Sequence, residues 1–269
     1  MLIYLKSTIK LILLISVLVS CSVFDRKLEN QDNSGSTFSK GQALITAHDY
    51  KHALPYLNRS LEEGNANYKE SLLLAARAYD QLSEPEQAIL SLQEFLKLKK
   101  DDSGSSLKDL TARSLLLKNQ AKAKLEISQS DEKRALQNLV NDKSYARKTI
   151  VGSLAWSLDF NCDKYCVDEI RYFQEIQTLL LYIVEQDAES SAATAALIKD
   201  RYIFFHDHLN SDLFNQEFKR QIASNLYDCY QKLKTLDLVY TQRNKTYPSK
   251  VLIASLSGLA KDLESWLNK

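Results

Sequence analysis

The chain has 269 residues and 45% hydrophobic content, enough apolar material for a substantial core and too much for a chain that stays disordered throughout. Only 6 Gly and 3 Pro punctuate it, too few turn signals for a β-rich fold, and the composition leans helical. The formal net charge is +1, and setting aside Lys6 and Lys10 of the first twenty residues leaves 33 basic against 34 acidic side chains. That balance gives no reason to expect nucleic acid or anionic lipid as the main ligand.

Lys6 and Lys10 precede the apolar run Leu11 to Val19, the charged region and hydrophobic region of a signal peptide. The run is too short to favour a stable membrane-spanning helix. Leu18-Val19-Ser20-Cys21 follows directly and resembles the bacterial lipobox. That resemblance implies cleavage of residues 1–20, diacylglycerylation of the Cys21 thiol and acylation of the new amino group. Two or three acyl chains hold a protein firmly where one holds it marginally. Ser22 in place of Asp implies, by the enterobacterial sorting pattern, transfer to the outer membrane facing the periplasm rather than retention in the inner membrane. Residues 21–38 are then a lipidated cysteine and a polar tether without helical periodicity, with a span of about 20–25 Å as a flexible coil.

Residues 49–61 and 84–96 share a layout in which Ala53 aligns with Ala88, Leu57 with Leu92 and Leu61 with Leu96, a period of 35. In the helix preceding the second segment, Leu72, Ala75, Ala76 and Tyr79 supply a bulky residue, a packing residue, a small residue and an aromatic; in the first copy Gly41 takes the small position and Leu44 replaces the aromatic. The pattern resembles tetratricopeptide (TPR) repeats, whose period is about 34 residues. Small residues let paired helices approach closely and large ones fill the space between pairs. Ser60 and Phe95 stand where Ala is usual, the terminal Pro is absent, and Pro55 falls inside a helix, where it removes a hydrogen bond. Ser83-Glu84-Pro85-Glu86 reads as a capping box at the start of a helix. Repeats are expected over 39–127, with 106–127 as one long helix or a degenerate pair, and Ser130 opens a short helix.

Residues 128–269 form a C-terminal helical region with amphipathic helices expected at about 143–159, 164–187, 189–207, 211–235 and 249–268. The spacing of Ile170, Phe173, Ile176 and Leu180, and of Leu252, Leu256, Leu259, Leu263 and Trp266, carries this reading. The expected fold class is all-α, a TPR-like α-solenoid followed by a helical bundle or degenerate helical repeats.

Without Cys21, three cysteines remain: Cys162, Cys166 and Cys229. Cys166 shares the apolar face of Ile170 and Phe173, and Cys229 that of Ile222 and Leu233, so a bridge between the two helices is expected, with Cys162 to Cys166 as the local alternative. No metal site is expected: His48 and His52 straddle a turn, and His206 and His208 face different ways on a helix. No phosphate loop, nucleophile elbow or zinc-protease motif is present, so neither a catalytic residue nor a cofactor nor a small-molecule substrate is expected.

The TPR resemblance implies a partner-binding groove on the first helix of each repeat, with Phe38, Gln42, Ile45, Glu70, Leu73, Arg77 and Asp80 facing it. The Lys and Asn clamp of chaperone-tail TPR domains is missing, so capture of a terminal carboxylate is not implied. The expected function is a membrane-anchored, non-enzymatic scaffold for an envelope protein in a cell-envelope assembly. A regulator or divergent enzyme acting on peptidoglycan, or a purely structural envelope lipoprotein, is the alternative.

Overall fold

A computed structural model describes residues 37–64, 66–98, 105–142, 144–186, 188–241 and 249–268. The expected signal peptide, Cys21 and most of the expected tether lie outside the described residues. So do Lys99, Lys100, Asp101, Asp102 and Pro248. The described residues form eleven α-helices and no strand. They are α1 (Thr37–Thr46), α2 (Tyr50–Glu62), α3 (Tyr68–Gln81), α4 (Pro85–Lys97), α5 (Ser105–Lys122), α6 (Asp131–Asn141), α7 (Arg147–Leu154), α8 (Cys166–Gln186), α9 (Ala188–Asp207), α10 (Gln216–Thr241) and α11 (Ser249–Leu267). A 3₁₀ turn, His208–Asn210, follows α9.

From α1 to α5 each helix packs on the next, and α1 also touches α3, as α3 touches α5. The odd-numbered helices therefore form one layer, with α2 and α4 on its other side. The positions related by 35 residues occupy equivalent places: Ala53, Ala88, Leu57 and Leu92 are all fully buried. The two irregular positions are accommodated. Ser60 is sealed in the core with its hydroxyl 2.9 Å from that of Ser71, and Phe95 is enclosed by Leu72, Leu92 and Leu116 of its own cluster. Pro55 lies inside α2, which nonetheless continues to Glu62, its start secured by Asp49, whose carboxylate accepts the His52 backbone N–H.

Gly41 is required by the closeness of α1 and α2, since a Cβ there would stand 2.7 Å from Leu57 Cδ2. At Gly258 of α11 a Cβ meets nothing within 4 Å.

Local boundaries differ from expectation at several points. Helix α1 begins at Thr37, so Phe38 belongs to it rather than to the tether. Helix α4 starts at Pro85 as expected, but no capping box forms: the N-cap Glu84 makes no side-chain cap bond, while Ser83, at φ 61°, donates its hydroxyl to Asp163. Ser130 does cap α6, accepting the Lys133 N–H at 3.2 Å. Residues 105–122 are one helix, and the helix expected over 143–159 is only α7, followed by the non-helical stretch Trp156 to Asp163.

Helix α5 joins two cores. Ala112, Leu115 and Leu116 pack with α3 and α4, whereas Leu110, Leu117 and Ala121 belong to the large cluster built with α6 to α11. In that cluster α8 packs on α9 and α10, and α11 on α9 and α10.

Replacing Gly41 with Val is expected to destabilise the chain by about 1–3 kcal/mol through overpacking against Leu57. Gly258→Ala should stabilise it by about 0.5–1 kcal/mol, having helix propensity to gain and nothing to strike. Urea unfolding of both variants reads the two signs directly.

Candidate functional site

Two features concentrate the polar chemistry of the molecule: an open groove and a sealed charge cluster, and both are built on α3. Residues one turn apart along one face of this helix are Glu70, Leu73, Arg77 and Asp80. The first two line a groove of about 570 Å³ between α1, α3, α5 and α7. Its apolar lining is Phe38, Leu73, Leu74, Leu107 and Trp156, and its polar lining is Gln42, Glu70, Lys108, Thr111, Thr149 and Ser153, with Gly152 between them. Glu70 and Lys108 face each other as an ion pair. Burial alone would push the Glu70 carboxyl up, but the Lys108 ammonium outweighs it and holds the group below the ordinary carboxylate range.

One turn further along α3 the face is covered. The Arg77 guanidinium lies 4.6 Å from the Trp156 ring centroid and donates to the Asp159 carboxylate at 3.2 Å. Gln81 Nε2 donates to the Asp159 carbonyl, as does Lys118 Nζ, and Asn161 Nδ2 donates to the Gln81 carbonyl. The stretch Trp156 to Asp163 thus lies across the C-terminal half of α3.

Beneath it sits Asp80, whose side chain has no solvent exposure. Its carboxylate accepts from Lys118 and Lys122 of α5, each at 2.9 Å, and Lys122 is 3.2 Å from Glu169 of α8. Lys118 is 3.7 Å from the same Glu169 oxygen, and all four side chains are fully buried. Glu169 also accepts the Cys162 N–H at 2.9 Å. Two cations and two anions therefore balance. Burial would raise the Asp80 pKa, but Lys118 and Lys122 hold it below its ordinary value; burial would lower that of Lys122, but Asp80 and Glu169 raise it. Neither carboxylate lines the groove, so the pair is closed to any substrate that enters there.

Of the residues expected to face a partner, Phe38, Gln42, Glu70 and Leu73 come together in the groove. Ile45 is instead buried in the core with Ala53 and Leu57, Arg77 is covered by Trp156, and Asp80 is inside the charge cluster. Helical periodicity identifies residues that share a face but not what lies over it, and the cover here comes from about eighty residues away. Trp156 and Gly152 were missed for the same reason.

Of the two cysteine pairings expected, the structure brings the local one, Cys162 with Cys166, within reach. Cys166 opens α8, and the sulfur of Cys162, in the turn four residues earlier, lies within bonding reach of it, with Cα atoms 4.0 Å apart. Cys229 is a free, buried thiol, which burial pushes up in pKa. Cys162 has φ 48°, a left-handed conformation that turns the chain back towards α8.

The histidines keep separate partners. His48 Nδ1 is 2.8 Å from the Tyr50 hydroxyl, His52 Nδ1 is 2.8 Å from Asp49, and His208 donates to the Phe204 carbonyl at 2.6 Å. Among the described residues no group of three His, Cys, Asp or Glu is placed to hold a metal ion, and no helix is long and apolar enough to cross a membrane. The chain matches no protein-family model and no curated protein.

Asp80→Asn is expected to lower stability at pH 7 by about 3–5 kcal/mol, because it leaves buried ammonium charge uncompensated. The native contribution of Asp80 is fully present above its unfolded-state pKa of about 3.9 and is lost as the pH falls through its depressed native value. The unfolding curves of variant and native chain should therefore converge only in acid; a gap unchanged from pH 7 to pH 2 would remove the cluster as its cause. That of Lys122 is present below about 10.4 and is lost as the pH rises through its elevated native value. For the cysteines, iodoacetamide applied to the denatured, unreduced chain should label Cys229 and spare Cys162 and Cys166 until a reductant is added.

Proposed function

We propose that the chain is a membrane-anchored, TPR-like lipoprotein that serves as a protein-binding scaffold on the periplasmic side of the outer membrane, in a cell-envelope assembly. In this reading α1 to α5 are a short TPR-like solenoid, α8 to α11 a bundle that follows it, and Cys21 the lipid-bearing residue. The observation that carries the reading is the groove itself. It lies on the layer formed by α1, α3 and α5, where Phe38, Gln42, Glu70 and Leu73 meet and five apolar side chains are joined by hydroxyl and amide groups. Such a surface combines the apolar contact and hydrogen-bonding capacity of a peptide-recognition site.

Gly152 supplies the test. A Cβ at this position meets nothing within 4 Å and Gly152 lines the groove, so a bulky side chain there starts into open space and is expected to obstruct the groove. A photoreactive amino acid placed at Thr149 should crosslink in intact cells to a discrete envelope protein that is not captured from Leu90, 60% exposed on α4. Gly152→Phe should abolish that crosslink with the helical circular dichroism retained and the unfolding midpoint no lower. Identical neighbours from both positions, insensitive to Gly152→Phe, would overturn the scaffold reading.

A further inference from the structure

The groove has a blind end, and its chemistry selects what enters. Along α3 the wall of the groove runs from Glu70 to the largely buried Leu73 and Leu74 and stops where Trp156 covers Arg77, and Asp159 and Asn161 then tie the covering stretch to Arg77 and Gln81. A ligand chain therefore cannot run the length of the α1, α3 and α5 layer; it ends, or turns away, at Trp156. The space of about 570 Å³ corresponds to roughly four average residues of packed peptide, taking interior packing density as the guide.

Charge narrows the choice further. Only Glu70 and Lys108 among the lining residues are charged, and they neutralise each other. An ionised side chain brought between Leu73, Leu107 and Trp156 would lose water and find no unmatched counter-charge, a penalty that selects against it. Thr111 donates its hydroxyl to the Leu107 carbonyl and Ser153 to the Thr149 carbonyl, which leaves both oxygens with acceptor capacity towards the groove. Peptide N–H groups satisfy such acceptors, whereas an acyl chain leaves them bare.

Resting on the scaffold reading, we infer that the groove takes a short uncharged peptide segment presenting one or two bulky aliphatic or aromatic side chains, held against Trp156 at its closed end. The partner is thus recognised through an apolar anchor in a loop or chain end, not through a charged tail.

The full chain carrying Trp266→Phe isolates the fluorescence of Trp156, since Trp156 and Trp266 are its two tryptophans. The probes are acetyl-Ser-Leu-Phe-Ser-amide, its Leu-to-Glu and Leu-to-Lys analogues, and dodecyl maltoside below its micelle concentration. The expected result is a saturable change in Trp156 emission with the uncharged peptide, at least tenfold weaker binding of both charged analogues, and loss of the response in Gly152→Phe. A charged analogue that binds equally well, with its response still lost in Gly152→Phe, overturns this ligand chemistry but leaves the groove as a binding site. Tighter binding of the detergent than of any peptide overturns it in favour of an acyl ligand. If no probe perturbs Trp156 and the crosslinks from Thr149 ignore Gly152→Phe, the ligand inference and the scaffold reading fall together.

Discussion

Four charges without solvent hold this molecule in one arrangement. Asp80 on α3, Lys118 and Lys122 on α5, and Glu169 on α8 are each enclosed completely. Taking such groups out of water costs several kcal/mol per ion, and the cost is met only when each finds its counter-charge at close range. A slip of α8 along α5 would leave two ammonium groups facing one carboxylate in a low-dielectric interior. A displaced register of α8 on α5 is therefore disfavoured by the charge it would leave unpaired. The Cys162 N–H extends this constraint to the backbone by donating to Glu169, so the turn before α8 is set by the same group.

The groove follows from that placement. Once α8 is seated, the stretch from Trp156 to Asp163 has to pass over the C-terminal half of α3, where Arg77, Gln81, Ser83 and Lys118 all bond to it. The N-terminal half of the same face stays open, bounded by α1 on one side and α5 on the other, and α7 forms the remaining wall. One continuous helical face is thus divided into a part that borders the groove and a part that is covered, and Trp156 is the boundary. It packs against both small cores of the N-terminal helices, which ties the shape of the groove to the packing beneath it.

The division explains which site residues were legible. Phe38, Gln42, Glu70 and Leu73 could be assigned to one surface because the TPR resemblance implies it, and the groove lies where they meet. The resemblance implies the same of Arg77 and Asp80, but their surroundings come from residues 118–169, which no local pattern links to them. A charged residue on a helix face reads as solvated when only its own helix is considered. The same limit applies to the cysteines. The apolar faces of Cys166 and Cys229 match in pattern, but the left-handed turn at Cys162 brings its sulfur, and not that of Cys229, to the start of α8.

By itself the sequence determined the all-helical class, the two repeated hairpins with their small and large positions, and most helix spans, because these depend on periodicity and propensity within a few turns. The turn of chain after α7, the absence of a cap from Ser83, the double-sided burial of α5 and the division of the α3 face were decided only by tertiary structure. Each depends on groups far apart in the chain competing for the same hydrogen bond, charge or apolar surface. Ser83 illustrates the reason: its hydroxyl can serve the first turn of α4 or the Asp163 carboxylate, and only the fold brings Asp163 within reach.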